Sequence, residues 1–441
     1  MKQAGRALAT MRFPLPPDVA ASMNSPSRTA RRSLPWLLAA LSMIGPFSID
    51  AIFPAFPLVG ARFQVDNAAL QQLISVYLLT YAAMSLFHGA ISDAIGRKPV
   101  MVVGMLVYAL ASGLAAVSSS FAMLLACRAL QGACAGAGLV VGRAVIRDTF
   151  EGPAAQRLMS QVMMIFGVAP VIAPMVGAWL LPLGGWHGIF WFLLLFTLLL
   201  AAAVAFWLDE SHPPARRTTF AVRPLLAGYL SFGRDRPFWP LLISSSVNFA
   251  GLFLFIASAP RIVLDLLHLT ARDFPWLFVP VVVGLICGAW LSGRMAERRS
   301  VRFTVNLGYG VMLLACALHV SLAMALPQPR VPWSMLPLVL HGVGVQLAFP
   351  TLTLLLLDRF PHLRGGISSV QAFASLLLSS VVAGVLSPLL SSTMLSLALG
   401  SSSLTVIGVL AWYWYGRISR VPAAPGLARD VELQAQITGP R

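Results

Sequence analysis

Apolar residues in this chain run in long blocks, and polar residues gather in the short stretches between them. Twelve blocks stand out: 35–59, 70–92, 99–118, 121–146, 158–181, 187–208, 238–260, 274–293, 303–325, 333–357, 365–390 and 393–416. Each is long enough to cross about 30 Å of hydrocarbon as a helix rising about 1.5 Å per residue. Small residues such as Gly132, Gly136 and Gly138 in the fourth block favour close helix packing. Tryptophans sit near block ends or in adjoining loops, among them Trp36, Trp186, Trp239, Trp276, Trp333 and Trp414, as an aromatic belt requires. The pattern predicts an all-α membrane protein with twelve transmembrane helices.

Composition agrees with the pattern. Only 10% of the 441 residues are charged and 58% are hydrophobic, where a soluble domain carries about 25% charge. The net charge of +16 raises the question of nucleic acid, but its distribution answers it. Twenty-six of the 31 basic residues fall in the termini and in alternate loops, against four (Arg62, Arg261, Arg272, Arg330) in the opposite loops; Arg128 lies inside a span. This asymmetry is topological and predicts both termini and the central loop in the cytoplasm, with lipid and not nucleic acid as the partner. The two lysines, Lys2 and Lys98, form no phosphate-cradling Gly-Lys-Ser/Thr pattern, so the chain carries no Walker-type ATPase of its own. Cys127, Cys134, Cys287 and Cys316 all lie in apolar blocks and read as packing residues. The seven histidines are scattered without metal spacing, so no metal, no cofactor and no enzymatic centre is expected.

The two halves repeat. Gly89-x-x-x-Asp93-x-x-Gly96-Arg97-Lys98 after the second span returns 204 residues later as Gly293-x-x-x-Glu297-x-x-Ser300-x-Arg302. Gln131-Gly132 with Asp148 returns as His341-Gly342 with Asp358, offset by 210. The expected organisation is a cytoplasmic tail (1–33, with Met1, Met11 and Met23 as possible starts), a six-helix bundle (34–208), a cytoplasmic loop (209–237), a second bundle (238–416) and a cytoplasmic tail (417–441). Two halves around a midplane site is transporter architecture.

Charge inside the spans marks candidate chemistry. Asp50 and Arg128 both lie about 10–15 Å from the outer ends of their spans, at about 1.5 Å per residue. Asp50 is expected to couple proton and substrate binding, with Arg128 tuning it; the alternative is a static Asp50–Arg128 pair joining the first and fourth spans. Tyr77, Tyr81 and Gln131 in the first half, and Asn248, Gln346 and Gln371 in the second, are candidate pocket residues for a drug-sized molecule; plain helix packing is the alternative.

The decapeptide Gly89–Lys98 resembles the signature loop between the second and third helices of the major facilitator superfamily. Arg128-x-x-Gln131-Gly132 resembles that family's fourth-helix motif, whose Arg is linked to proton transfer. Gly167-x-x-Pro170-x-x-x-Pro174-x-x-Gly177 resembles the segment that marks its antiporters, although Ala173 and Ala178 stand where glycines are usual. Together with Ser48-Ile-Asp50-x-x-x-Pro54, Arg147-Asp148 and Trp186-His187-x-x-Phe190-Trp191, these motifs resemble the bicyclomycin/chloramphenicol-resistance type of bacterial drug:proton antiporter. The resemblance implies a major facilitator fold of two pseudo-symmetric six-helix bundles in the bacterial inner membrane. It implies a monomer that exchanges protons for a small-molecule substrate. It also implies a latch in which Asp93 faces the eleventh span near Gly365 and Gly366, Arg97 pairs with Asp148, and Glu297 acts in the second loop. A proton symporter importing a metabolite is the alternative; it would share the loop but should lack the Pro170/Pro174 segment.

Overall fold

The computed structural model describes residues 28–150, 152–296, 298–326, 328–361 and 363–419. Regular structure there is helical throughout. Among the described residues, eleven apolar helical stretches are long enough to cross a membrane: Leu34–Phe63, Asn67–Ile95, Arg97–Ala116, Phe121–Thr149, Gly167–Trp207, Phe238–Ala257, Pro275–Met295, Val301–Ala325, Pro337–Arg359, Arg364–Leu390 and Met394–Ile418. The fifth of these is two spans. Gly184 (φ −157°, ψ 18°) and Gly185 (φ 58°, ψ −152°) leave helical geometry. A Cβ on Gly188 would lie 3.3 Å from the Leu180 carbonyl, yet a straight helix would separate these residues by about 12 Å along its axis. The chain therefore reverses at the glycine pair, and twelve spans result.

Spans 1–6 form one bundle and spans 7–12 the other; the bundles meet where span 2 lies along span 11 and where span 8 meets the Gly152–Trp207 segment that carries spans 5 and 6. Glycines permit the close crossings: a Cβ on Gly132 would overlap the Tyr77 carbonyl, and one on Gly284 the Val339 carbonyl.

The loop rich in arginine and the Asp93 loop share one end of the molecule, here the basic end. At the opposite end the bundles are sealed together. Gln71 Nε2 donates to Ala257 O (2.9 Å), Gln72 Nε2 to Gly384 O (3.0 Å), Ser75 Oγ to Ser380 O (3.0 Å) and Ser380 Oγ to Ser75 O (2.8 Å). Gly384 lies in a π-helical turn, Val382–Leu386, and a Cβ there would overlap Ser75 Oγ. Phe53 of span 1 stacks on Phe274 (6.4 Å between centroids) and Phe278 (6.3 Å) at the start of span 8, all three fully buried. Four such hydrogen bonds contribute about 2–6 kcal/mol net, enough to favour the closed seam. In the adjoining loop, the Thr270 side chain and amide donate to Asp273 and hold its carboxyl below the usual carboxylate range.

At the basic end the connection runs through the central segment. Its helix Val222–Phe232 sends Tyr229 Oη to the Leu86 carbonyl of span 2 (2.7 Å), while Phe232 packs against Phe238 and Phe360 of the second bundle. Asp235 pairs with Arg359 of span 10.

The seam supplies its own test. Ser75→Cys and Ser380→Cys, in a background with the four native cysteines replaced by alanine, are expected to cross-link readily in membranes without substrate, because their Oγ atoms stand 3.1 Å apart. The cross-link should also stop transport. Failure to cross-link under mild oxidation would contradict the seal.

Candidate functional site

Span 1 is not one continuous helix. Helix Ile44–Asp50 stops, a 3-10 turn follows over Phe53–Ala55, and a second helix runs over Phe56–Phe63. Pro54 and Pro57 lack the amide protons that would have bonded to the carbonyls of Asp50 and Phe53, so the helix breaks where Asp50 stands. The break is held from span 5. Gly177 packs directly on the Ala51 carbonyl, and any Cβ at Gly177 would overlap it. The segment carrying Pro170, Pro174 and Gly177 thus buttresses the residue after Asp50. A Cβ at Gly167, farther along, would meet nothing within 4 Å.

Asp50 is 3% exposed, and among the described residues its side chain makes no hydrogen bond or ion pair. Arg128 is completely buried and meets other partners. Its Nε donates to the Leu73 carbonyl (2.9 Å), and its Nη1 to Ser48 Oγ (2.9 Å) and Gln131 Oε1 (2.8 Å). The guanidinium carbon lies 4.5 Å from the centre of the Tyr77 ring, a cation–π contact. Tyr108 Oη donates to the same Ser48 Oγ (2.6 Å), and Gln131 Nε2 donates to Ser112 Oγ (2.8 Å). Spans 1, 2, 3 and 4 are therefore cross-linked around one buried cation. Arg128 Nη2 and the Tyr77 hydroxyl are buried without a partner beside this network.

Tyr81 stands edge-on to Tyr77, with centroids 6.4 Å apart. The polar residues singled out in the second bundle are more dispersed. Gln371 is buried and donates to Thr353 Oγ1 (2.8 Å); Gln346 is half-buried. Asn248 is buried with its Nδ2 against Met312 Sδ (3.6 Å) and its Oδ1 unpartnered.

The loop at the basic end forms a charge cluster. Arg97 pairs with Asp93 (2.6 Å) and with Asp148 at the end of span 4 (3.0 Å), and donates to Ser92 Oγ (2.5 Å). Asp93 does not reach span 11: a Cβ on Gly365 would meet nothing within 4 Å, and Gly366 faces Tyr229 and Phe232. The acid at the start of span 3 is instead Glu210, whose Oε1 and Oε2 accept from the amides of Arg97 (3.0 Å) and Lys98 (3.2 Å). A carboxylate there complements the helix N-terminus. Gly96 has φ +115°, and a Cβ on it would crowd Glu210 and Arg217. A Cβ at Gly89 would meet open space. Glu297 lies outside the described residues.

Sequence reasoning missed Glu210, which follows span 6 and gives no local sign of its target 113 positions away. It also missed the hubs Ser48, Tyr108 and Ser112. Ser48 did carry a signal, being a polar residue two positions before Asp50 in an apolar block.

Comparison with known proteins completes the picture. The family model described as Major Facilitator Superfamily matches residues 38–384. Multidrug resistance protein D of Escherichia coli (strain K12) is 29% identical over 381 residues, covering 85% of this chain and 94% of that protein. The bicyclomycin resistance protein homolog of Haemophilus influenzae is 24% identical over 378 residues, covering 86% and 94%. Among solved structures, a bacterial homolog of the human lysosomal transporter Spinster, in an inward-facing and occupied conformation, superposes with a TM-score of 0.66 at 16% identity, over 90% of this chain and 98% of that one; at that identity the likeness speaks for the fold. The chain is a multi-pass membrane transporter rather than an enzyme, and it belongs to the Major Facilitator Superfamily.

Proposed function

We propose that this protein exports small drug-like molecules or metabolites across the cytoplasmic membrane in exchange for protons, with the basic end and both termini in the cytoplasm. The observation that carries the reading is Asp50: a buried carboxyl at a helix break, without a polar partner among the described residues, two residues from the Ser48 that Arg128 binds. A carboxylate in such a place holds its charge only at high cost, so gain and loss of a proton follow its access to water. Phe53, three residues on, joins the plug with Phe274 and Phe278 and keeps Asp50 from the opposite end. When the plug and the seam open, Asp50 takes a proton from outside and substrate leaves. When the basic end opens, substrate and proton compete and the proton leaves to the cytoplasm.

The relatives support export rather than import, since their names record resistance to drugs. The contact of Gly177 with Ala51 supports it as well, because it ties the antiporter-type segment to the residue next to Asp50.

Asp50→Asn separates coupling from transport. In proteoliposomes the variant is expected to retain exchange of labelled against unlabelled substrate while losing accumulation driven by a pH gradient by tenfold or more. Accumulation at the wild-type level would refute the role of Asp50.

A further inference from the structure

The end of the molecule opposite the basic end holds a cleft of about 390 Å³, and its two walls come from different bundles. Phe56, Pro57 and Leu70 of spans 1 and 2 form one wall; Arg261, Leu264 and Asp265, just after span 7, form the other. The cleft adjoins the seal. Phe56 stands edge-on to the plug residue Phe53, with centroids 5.8 Å apart. Leu70 precedes Gln71, whose Nε2 donates to the Ala257 carbonyl shortly before Arg261. The second wall is a π-helical turn, Arg261–Leu266, a geometry that recurs at functional sites. The proposed exchange cycle engages neither Arg261 nor Asp265.

Arg261 and Asp265 are the charged residues that line the cleft, and Arg261 Nη1 donates to Asp265 Oδ2 (2.6 Å). Their side chains are 39% and 46% exposed, and so open a pair contributes little by itself. One contact engages one carboxylate oxygen and one guanidinium nitrogen, and the other atoms of both groups remain for a ligand. A guest with a single negative charge would be drawn to Arg261 and repelled by Asp265, and a guest with a single positive charge the reverse. A wholly apolar guest would strip water from both charges and return nothing. A zwitterion answers both. Because Arg261 and Asp265 touch, the ligand's own two charges must also be adjacent, as they are in an α-amino acid. The apolar residues Phe56, Pro57, Leu70 and Leu264 suit an aromatic side chain. The volume lies at the small end of the range for ligand pockets, about 300–1,000 Å³, and limits the guest to such a size.

We propose that this cleft binds a zwitterionic aromatic α-amino acid, its carboxylate on Arg261 and its ammonium on Asp265, and that the bound molecule holds the two bundles together at this end. Both contacts are charge-assisted hydrogen bonds, stronger than those between neutral groups. Since the walls belong to different bundles, the ligand binds the closed seam better than an open one and shifts the equilibrium toward it. Under the proposed topology the cleft faces away from the cytoplasm, so its ligand acts from outside as a brake on transport. The binding rests on the cleft alone; the brake rests on the exchange cycle proposed above.

The test is binding, which requires no gradient. Tritiated L-tryptophan is bound to the full-length protein in lipid nanodiscs at pH 7, by scintillation proximity, and competed with indole-3-propionate, which lacks the ammonium, and tryptamine, which lacks the carboxylate. Unlabelled L-tryptophan is expected to compete at least tenfold better than either. Arg261→Gln and Asp265→Asn should each weaken binding at least tenfold, the exchange R261D/D265R should recover most of it, and Ala61→Trp, on the exposed rim, should fill the cleft and abolish it. Saturating L-tryptophan should also speed the Ser75→Cys/Ser380→Cys cross-link at least threefold. No saturable binding by the wild type, equal competition by a singly charged analogue, or undiminished binding in both Arg261→Gln and Asp265→Asn would overturn the site. Binding that leaves the cross-linking rate unchanged would overturn its hold on the bundles. The wild-type competition stands even where a variant fails to fold. Tryptophan binding without gradient-driven transport would refute the export reading and leave the site intact; export without tryptophan binding would do the reverse.

Discussion

A guanidinium buried in the middle of a membrane bundle without a carboxylate partner sets the terms for the first half of this protein. Removing such a charge from water costs several kcal/mol even after relaxation, and the cost is offset here by hydrogen bonds from Arg128 to Leu73, Ser48 and Gln131 and by the face of Tyr77. Those partners come from spans 1, 2 and 4, and Ser48 and Gln131 extend the network to Tyr108 and Ser112 of span 3. Four helices are thereby fixed to one another by a single cation. The network satisfies most of Arg128 without Asp50, and the carboxyl two residues from Ser48 forms no ion pair with it among the described residues. A static ion pair between the two would have held span 1 to span 4 and used up the one interior acid.

The two bundles divide the work unequally. The first carries every charged side chain in the interior of the described spans, and its span 1 is broken by prolines where Asp50 sits. At the position equivalent to Gln131, the second bundle has His341, fully buried near Gly251 and without a hydrogen-bond partner for either ring nitrogen. Its contribution at the opposite end is mechanical: Phe274, Phe278, Ser380 and Gly384 close over the first bundle. Under the proposed exchange cycle this is a workable division, since movement of the closing bundle would expose the acid without disturbing the cation that organises its surroundings.

Much of this was legible from the order of residues. Span number, the halves and the interior charges Asp50 and Arg128 follow from apolar block length and from the cost of charge in lipid, which act locally along the chain. The turn at Gly184–Gly185 was visible as a gap between blocks. The Arg97–Asp148 contact was inferred from a motif and is present. What escaped were partnerships set by tertiary packing. Asp93 was expected at span 11, but Arg97 takes it, and the side chains of Tyr229 and Phe232 from the central segment stand against Gly366. Glu210 caps span 3 from a distant segment that nothing local ties to it. The Gln71, Gln72 and Ser75 seal was hidden among ordinary polar residues at a span end, whose meaning depends on what lies across the seam.

The central claim is that proton and substrate compete through Asp50. Purified protein in weakly buffered detergent solution near neutral pH, mixed with saturating substrate and followed with a pH-indicator dye, tests it most directly. The account predicts release of about one proton per protein on binding, absent from Asp50→Asn under the same conditions. Binding with no release from the wild type, or equal release from the variant, would contradict it.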